Sequence, residues 1–399
     1  MSRILLAWEL GTGFGHLAHF LSLAPGLLAR GHALHIAARE IAGAHKAIGG
    51  LPITVHQAPL CLNTYGGLQE PPLNFGEILM RYGYLDPPML RAMIGSWRAL
   101  LDATRTELLI ADHAPTALIA ARLAGIPMAV IGSPFAVPPN VHPTPNMRRW
   151  MQVPAARLTD SDARVIGAVN ASLPAGTAPI AAIYEIFSGA PQFFLGVPET
   201  DPYGSRDTAI YLGLNGYSTG TAMPVWPQGT GKRILVYLHG NYPHVEAAMR
   251  ALAAGGNRVI AYISGADQKL PGLMSALGVH ASAEPVDMVR LLTQADLCVT
   301  HGPGAAFAAL QAGVPVLMLP KQLENFLFAM ALQRIGVGAL IDPEQGCPDF
   351  PGVLKEMFSD RRYSVGARAF ADRHRDDAAD AIEEQVIACI EARCAAPAA

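Results

Sequence analysis

Charge is scarce in this chain. Only 15% of its residues are Asp, Glu, Lys or Arg, and the formal net charge of −3 provides no basic field for a polyanion. Nucleic acid is therefore not expected as a partner. Long uncharged apolar runs are missing as well, although half of the composition is apolar. The richest stretch, Ala117 to Pro139, is broken by Arg122, Pro127, Pro134 and Pro138 and reads as buried helix, strand and loop. No transmembrane segment is expected. The first strand follows the N-terminus with no charged leader, which points to the cytoplasm. Five cysteines (Cys61, Cys298, Cys347, Cys389 and Cys394) are odd in number and lack metal-ligand or redox spacing, so they read as reduced structural thiols. HExxH, paired CxxC, a Walker loop and a Gly-x-Ser-x-Gly elbow are all absent. Metal hydrolysis, phosphate-loop ATPase and α/β-hydrolase chemistry therefore have no support. No carboxylate cluster suggests a metal site.

What is present is an alternation of short β-rich runs with helical patterns, the mark of parallel sheets covered by helices. Strands are expected at Ile4–Trp8, Ala33–Ala38, Leu108–Ala111 and Met128–Ile131, with helices at Phe20–Arg30 and Pro115–Leu123. A stretch crowded with Gly, Pro, Ser and Thr runs from Gly213 to Lys232, after which the pattern restarts. Strands Ile234–Leu238, Arg258–Ile263, Leu297–Thr300 and Val314–Leu319 then alternate with helices at Pro243–Ala253, Lys269–Leu277 and after His301. The expected organisation is an N-terminal domain at 1–215, a linker at 216–232, a second domain at 233–375, and a C-terminal helix and tail at 376–399 that pack back towards the first domain. Ile382, Val386, Ile387 and Ile390 lie on one stripe of that helix. Asp201-Pro202, Asp342-Pro343 and Asp376-Asp377 read as turns and solvated charge.

Between Leu62 and Thr104, Tyr65, Phe75, Met80, Tyr82, Tyr84 and Trp97 either line a pocket or, at helical spacing, form core. The proline-rich segment Phe135 to Trp150 is either an acceptor lid or a structural loop.

Two segments carry chemistry. In Val299-Thr300-His301-Gly302-Pro303-Gly304-Ala305-Ala306, a strand ends on a histidine and a small-residue turn opens a helix. Small residues admit a ligand close to the backbone, and N–H groups at a helix start favour an anion such as a pyrophosphate. The next strand ends at Pro320, followed by Glu324, a carboxylate suited to sugar hydroxyls. The other segment, Trp8-Glu9-Leu10-Gly11-Thr12-Gly13-Phe14-Gly15-His16, places a histidine where a Gly-rich turn leaves the first strand, a ligand-binding position in open α/β sheets. His16 is a base candidate because a neutral imidazole titrates in the right range, or it merely caps its helix. Asp112, at the end of another strand, either orients His16 or caps the helix beginning near Pro115. His113 is a weaker substitute.

With Arg30-Gly31-His32 and Arg334-Ile335-Gly336-Val337-Gly338, these segments make most of the chain resemble a sugar-nucleotide-dependent glycosyltransferase of the GT-B fold. The resemblance is to the bacterial branch related to macrolide, flavonoid and sterol glucosyltransferases. It implies an α/β architecture of two Rossmann-like, doubly wound parallel-sheet domains facing across a cleft that closes over the donor. By resemblance, His16 is the general base with Asp112 behind it, and Gly13 and Gly15 shape the loop near the reaction centre. His301, Gly302, Gly304 and Ala305 fall at the diphosphate, Glu324 and Asn325 at the donor sugar, His239, Gly240 and Asn241 in a turn near the phosphates, and Ala283 to Val286 against the nucleobase.

The family pattern His-Gly-Gly-x-Gly-Ser/Thr is altered here. Pro303 replaces the second glycine, the segment to Gly313 is one residue shorter, Ala305 lacks the hydroxyl, and Ala308 stands near the place of a ribose-binding glutamate. The implied activity is inverting transfer of a hexose from a UDP- or dTDP-sugar to a hydroxyl of a small apolar acceptor. No cofactor is bound permanently; the nucleotide-diphosphate sugar is a substrate. Two alternatives remain: a non-catalytic sugar-nucleotide-binding or partner-activating protein on this fold, and a sugar-nucleotide epimerase or hydrolase.

Overall fold

The run Ile4-Leu5-Leu6-Ala7 is apolar at every position because both of its faces are covered, as in the interior of a parallel sheet; all four residues are fully buried. The computed structural model describes residues 1–13, 15–214, 220–342, 346, 348–375 and 379–395. It divides into two compact units, Met1–Leu195 with Ser205–Tyr211 and Asp380–Ala399, and Gly196–Gly204 with Leu212–Ala379.

The first unit is built from β1 (Arg3–Trp8), α1 (Gly15–Ala29), β2 (Ala33–Ala38), α2 (Ile41–Ile48), β3 (Ile53–Gln57), α3 (Phe75–Leu79), α4 (Pro87–Ala103), β4 (Leu108–Asp112), α5 (Pro115–Leu123), β5 (Met128–Gly132), α6 (Ala155–Ser172), β6 (Gln192–Phe194) and β7 (Ala209–Tyr211). Its seven strands run parallel in the order β3-β2-β1-β4-β5-β6-β7. The order reverses between β1 and β4, so the ends of these two strands form the switch point at which open α/β sheets bind ligands.

The second unit contains β8 (Arg233–His239), α7 (Val245–Ala253), β9 (Arg258–Ser264), α8 (Leu270–Ala276), β10 (His280–Ser282), α9 (Met288–Leu292), β11 (Leu297–Thr300), α10 (Pro303–Gln311), β12 (Val316–Met318), α11 (Leu323–Arg334), β13 (Gly338–Leu340), α12 (Phe350–Ser359) and α13 (Arg361–Arg373). Its parallel sheet has the order β10-β9-β8-β11-β12-β13, with the switch point between β8 and β11. Separate apolar clusters fill its two sides, one around Leu235, Cys298 and Phe328 and the other around Val236, Val299 and Leu317.

The last helix, α14 (Ala379–Ala395), seats Val386, Ile387 and Ile390 in the first unit, all fully buried. Gly26 of α1 is small for this reason: a Cβ there would lie 2.5 Å from Ile387 Cδ1. An ion pair from Arg30 to Glu384 and a hydrogen bond between His32 Nε2 and Glu391 flank the contact.

Several expectations shift. Helix α1 begins at Gly15 rather than Phe20, which places His16 inside its first turn. In the excursion after Leu62, Phe75, Met80, Tyr84 and Trp97 are core. The Phe135–Trp150 segment is tied down by Thr144, whose N–H and hydroxyl donate to Asp162 at 2.6 and 2.7 Å, and by Met147 N–H on the Leu73 carbonyl at 2.7 Å. Asp201 is buried rather than solvated and accepts from Tyr203 N–H at 2.8 Å. Of the stretch expected to link the domains, residues 220–232 pack with the second unit, where Ala222 bridges Val286. Pro343, Cys347, Asp376 and Asp377 lie outside the described residues.

Candidate active site

β1 and β4 are hydrogen-bonded neighbours with Trp8 opposite Asp112. Past Trp8 the chain turns through Gly11 and Gly13, both at positive φ, and enters α1. This path brings His16 Nδ1 to 3.0 Å from Asp112 Oδ1, and the Asp112 side chain is fully buried. A carboxylate oxygen accepts, so Nδ1 carries the proton and Nε2 the lone pair. That is the tautomer a general base requires. The helix-capping alternative for Asp112 is not realised: the N-cap position of α5 is Ala114, and the carboxylate of Glu9 accepts from Thr116 N–H at 3.0 Å and Thr116 Oγ1–H at 2.6 Å.

Contacts that the sequence pattern does not display hold this pair. The Trp8 indole stacks on the His16 ring and donates to the Leu10 carbonyl at 2.8 Å, while Leu10 N–H donates to the His113 carbonyl at 2.9 Å. Gly132, at the end of β5, backs the carboxylate: a Cβ there would lie 2.5 Å from Asp112 Oδ1. Gly11 backs the imidazole, since a Cβ would approach His16 Nε2 to 2.7 Å. Gly13 and Gly15 have no such neighbour within 4 Å. His113 is buried at φ 47°, and burial together with the charge of His16 pushes its imidazole down to about 3, too weak a base for work near neutral pH.

The second unit gathers the other group of candidates at the switch point of its own sheet. His239 ends β8, and Gly240 turns so close to the next loop that a Cβ would meet Gly265 O at 2.5 Å. Asn241 N–H donates to His239 Nδ1 at 3.3 Å. His301 follows β11 and donates from Nδ1 to the Leu319 carbonyl at 2.6 Å, with the Tyr242 ring packed against it at 5.3 Å. Its Nε2 is buried and makes no hydrogen bond of good geometry, although the His239 backbone acts on the ring. Burial lowers the His301 pKa; the Leu319 carbonyl opposes the shift and the charge of Lys321 adds to it.

Gly302 is the N-cap of α10 and makes no side-chain cap, and Pro303 occupies the first turn without an N–H. Ala306 N–H bonds Gly302 O, which leaves the Gly304 and Ala305 amides as the free N–H groups of the α10 start, a type of group that suits an anion. Asn325 Nδ2 lies 3.7 Å from where a Gly302 Cβ would stand, so α11 presents Asn325 and its half-buried neighbour Glu324 beside the α10 turn. Ala305 and Ala308 are buried. Lys321, which no motif marks, donates from its ammonium to Asn241 Oδ1.

A cavity of about 570 Å³ in the first unit is lined by Glu77, Arg81, Arg157, Asp160 and Arg164 among others, and none of the residues above contributes to it. Among the described residues no cluster of His, Cys, Asp or Glu could hold a metal ion, and no helix is long and apolar enough to cross a membrane.

Known structures share this fold. The glycosyltransferase VinC, solved in complex with dTDP, superposes with a TM-score of 0.67 at 18% identity, covering 98% of this chain and 99% of that one. The glycotransferase of kitacinnamycin gives 0.65 at 22% identity over 96% and 99%. SnogD from Streptomyces nogalater gives 0.64 at 18% over 97% and 99%. Among curated proteins, a PGL/p-HBAD biosynthesis glycosyltransferase of Mycobacterium tuberculosis is 23% identical over 330 residues, 72% of this chain and 71% of its own length. No protein-family model matches. The chain has the GT-B fold, two parallel-sheet α/β units of seven and six strands, as its sequence leads one to expect. Each of these similar proteins is a glycosyltransferase.

Proposed function

We propose that this protein is an inverting glycosyltransferase that moves a hexose from a UDP- or dTDP-sugar to a hydroxyl of a small, apolar acceptor. The observation that carries the reading is the His16–Asp112 pair, at 3.0 Å on a fully buried carboxylate, at the switch point of the first sheet. His16 Nε2 takes the acceptor hydroxyl's proton while that oxygen attacks the anomeric carbon. The bond from this carbon to the diphosphate oxygen breaks on the opposite face, and the configuration inverts. Asp112 stabilises the imidazolium, as the carboxylate does in hydrolase triads. In the second unit the Gly304 and Ala305 amides and His301 take up the charge of the departing nucleoside diphosphate, and Glu324 and Asn325 hold the sugar. A preorganised set of donors on a leaving group supplies a large share of catalysis in such reactions.

The glycosyltransferase fold and the dTDP seen with VinC support the donor class. A thermal-shift screen against UDP-, dTDP- and GDP-sugars identifies the donor, since ligands of the folded state raise its melting temperature. With donor and acceptor in hand, His16→Ala should lower kcat by about a hundredfold or more. Asp112→Asn should do the same while leaving donor binding intact, because an amide donating to Nδ1 moves the imidazole proton to Nε2. Unchanged turnover in both variants removes the base assignment. Donor binding without transfer to any acceptor in a broad panel turns the reading to a sugar-nucleotide-binding protein, and release of free or altered sugar turns it to a hydrolase or epimerase.

A further inference from the structure

The second unit brings a cation to the proposed donor site from a position that no motif marks. Lys321 lies just past β12, after Pro320, and its ammonium donates to Asn241 Oδ1 in the turn after β8. The two residues are 80 positions apart. His301 stands close enough to both elements that the lysine's charge adds to burial in depressing its imidazole, while Asn241 N–H is bonded to His239. Lys321, Asn241, His239 and His301 thus form one group at the ends of β8, β11 and β12, beside the first turn of α10.

The charge on this group is not neutralised. Asn241 is an uncharged acceptor, and among the described residues no carboxylate acts on the lysine, whose only perturbation is partial burial. An unneutralised ammonium held by a side chain from another loop is placed to receive an anion, and the same place is short of anion donors. Pro303 brings no N–H to the first turn of α10, and Ala305 brings no hydroxyl. Beside the exposed lysine, the buried His301 Nε2 makes no hydrogen bond.

We propose that Lys321, steered by Asn241, is a donor-binding residue that pairs with the diphosphate of the nucleotide sugar and replaces the contacts absent at Pro303 and Ala305. This rests on the donor-site reading above. The charge would act twice, first on the bound diphosphate and then more strongly on the leaving group, where negative charge grows as the glycosidic carbon–oxygen bond breaks.

Calorimetry of the full chain with UDP, dTDP, uridine and thymidine tests it, comparing the wild type with Lys321→Met, Lys321→Arg and Asn241→Ala. Lys321 is exposed, so its replacement removes no core contact and the melting temperature without ligand should not move. Loss of the ammonium should weaken diphosphate binding by roughly tenfold to a hundredfold. Lys321→Arg should retain most of the affinity, and Asn241→Ala should lose a smaller part of it. Binding of the bare nucleosides should be unchanged. The wild type should also lose affinity more steeply with added salt than Lys321→Met, because an ionic contact is screened and a packing contact is not. Equal diphosphate affinity and equal salt dependence in wild type and Lys321→Met would overturn the role of Lys321 and leave the donor site standing. Failure of the wild type to bind any nucleoside diphosphate would overturn both.

Discussion

The indole of Trp8 lies on the imidazole of His16, with ring centroids 5.2 Å apart and planes 24° from parallel. Trp8 ends β1, is almost wholly buried, and anchors its own ring through a bond to Leu10 O. An aromatic face favours a cation over a neutral ring. Trp8 should therefore help Asp112 to stabilise the imidazolium formed during transfer. Trp8→Leu is expected to lower the acidic limb of the kcat/KM profile by up to about one pH unit and to reduce kcat about tenfold, with donor affinity unchanged. Trp8→Phe, which keeps a ring there, should retain the profile. Identical profiles for Leu and Phe would show that the indole only fills space.

Gly11 lies against the Nε2 edge of the same ring. Its φ of 80° suits glycine, and a Cβ would sit 2.7 Å from His16 Nε2, the atom that takes the proton. Gly11→Ala is expected to abolish transfer and to leave nucleotide binding by the second unit at its wild-type affinity. The substitution also strains the backbone by roughly 1–2 kcal/mol, so its melting temperature should fall slightly. Turnover near that of the wild type would show that His16 moves aside at no cost.

The strands were legible because parallel strands buried on both faces read as unbroken apolar runs; Ala33–Ala38 and Leu297–Thr300 match expectation at both ends. Several edge and short strands were not legible. β3 carries His56 and Gln57, and β6 and β7 are three residues each, too brief for a period to show. In the candidate site, Asp112 and His301 stand at or just past a strand end and His16 follows the Gly-rich turn that leaves the first strand, positions where topology concentrates ligands. The contacts that fix them join distant segments: Thr116 is capped by Glu9 across 107 positions, and Lys321 meets Asn241 across 80. No local pattern encodes such pairs. Nor does a glycine announce whether it is small for a turn, as at Gly13, or for a neighbouring side chain, as at Gly132.

His301 should couple donor binding to proton uptake. Its Nδ1–H is committed to the Leu319 carbonyl, so in the neutral ring the buried Nε2 has only a lone pair. A phosphate oxygen that displaces the groups covering Nε2 can accept from it only when the ring is protonated. Burial lowers the pKa in the free protein, and the bound anion raises it. The extra affinity is therefore fully present below the free-state pKa and is lost as pH rises through the bound-state value. Calorimetry with a nucleotide sugar, in buffers of different ionisation enthalpy, should register proton uptake near neutral pH. His301→Gln should abolish both the uptake and the pH dependence. Zero uptake in the wild type would place the phosphate away from Nε2.

Glu9 makes stability depend on pH in an unusual direction for a carboxylate. Burial raises its pKa to about 7, although the hydroxyl and N–H of Thr116 favour the charged form. Because Thr116 gives its hydroxyl proton to Glu9, the Tyr84 hydroxyl donates to Thr116, at 2.8 Å, and the chain of three closes a buried network. A folded-state pKa above the ordinary carboxyl value of 4.5 means that the folded protein binds the proton more tightly than the unfolded chain. The stability it contributes is whole below the unfolded pKa and disappears as pH rises through about 7. Across that window the loss is roughly 3 kcal/mol. Glu9→Gln carries no charge at any pH and can still accept from Thr116. Its melting temperature should fall less between pH 5 and pH 8 than that of the wild type, by several degrees on scales of this kind. Parallel melting curves across that range would mean that Glu9 is already ionised in the fold at the acid end.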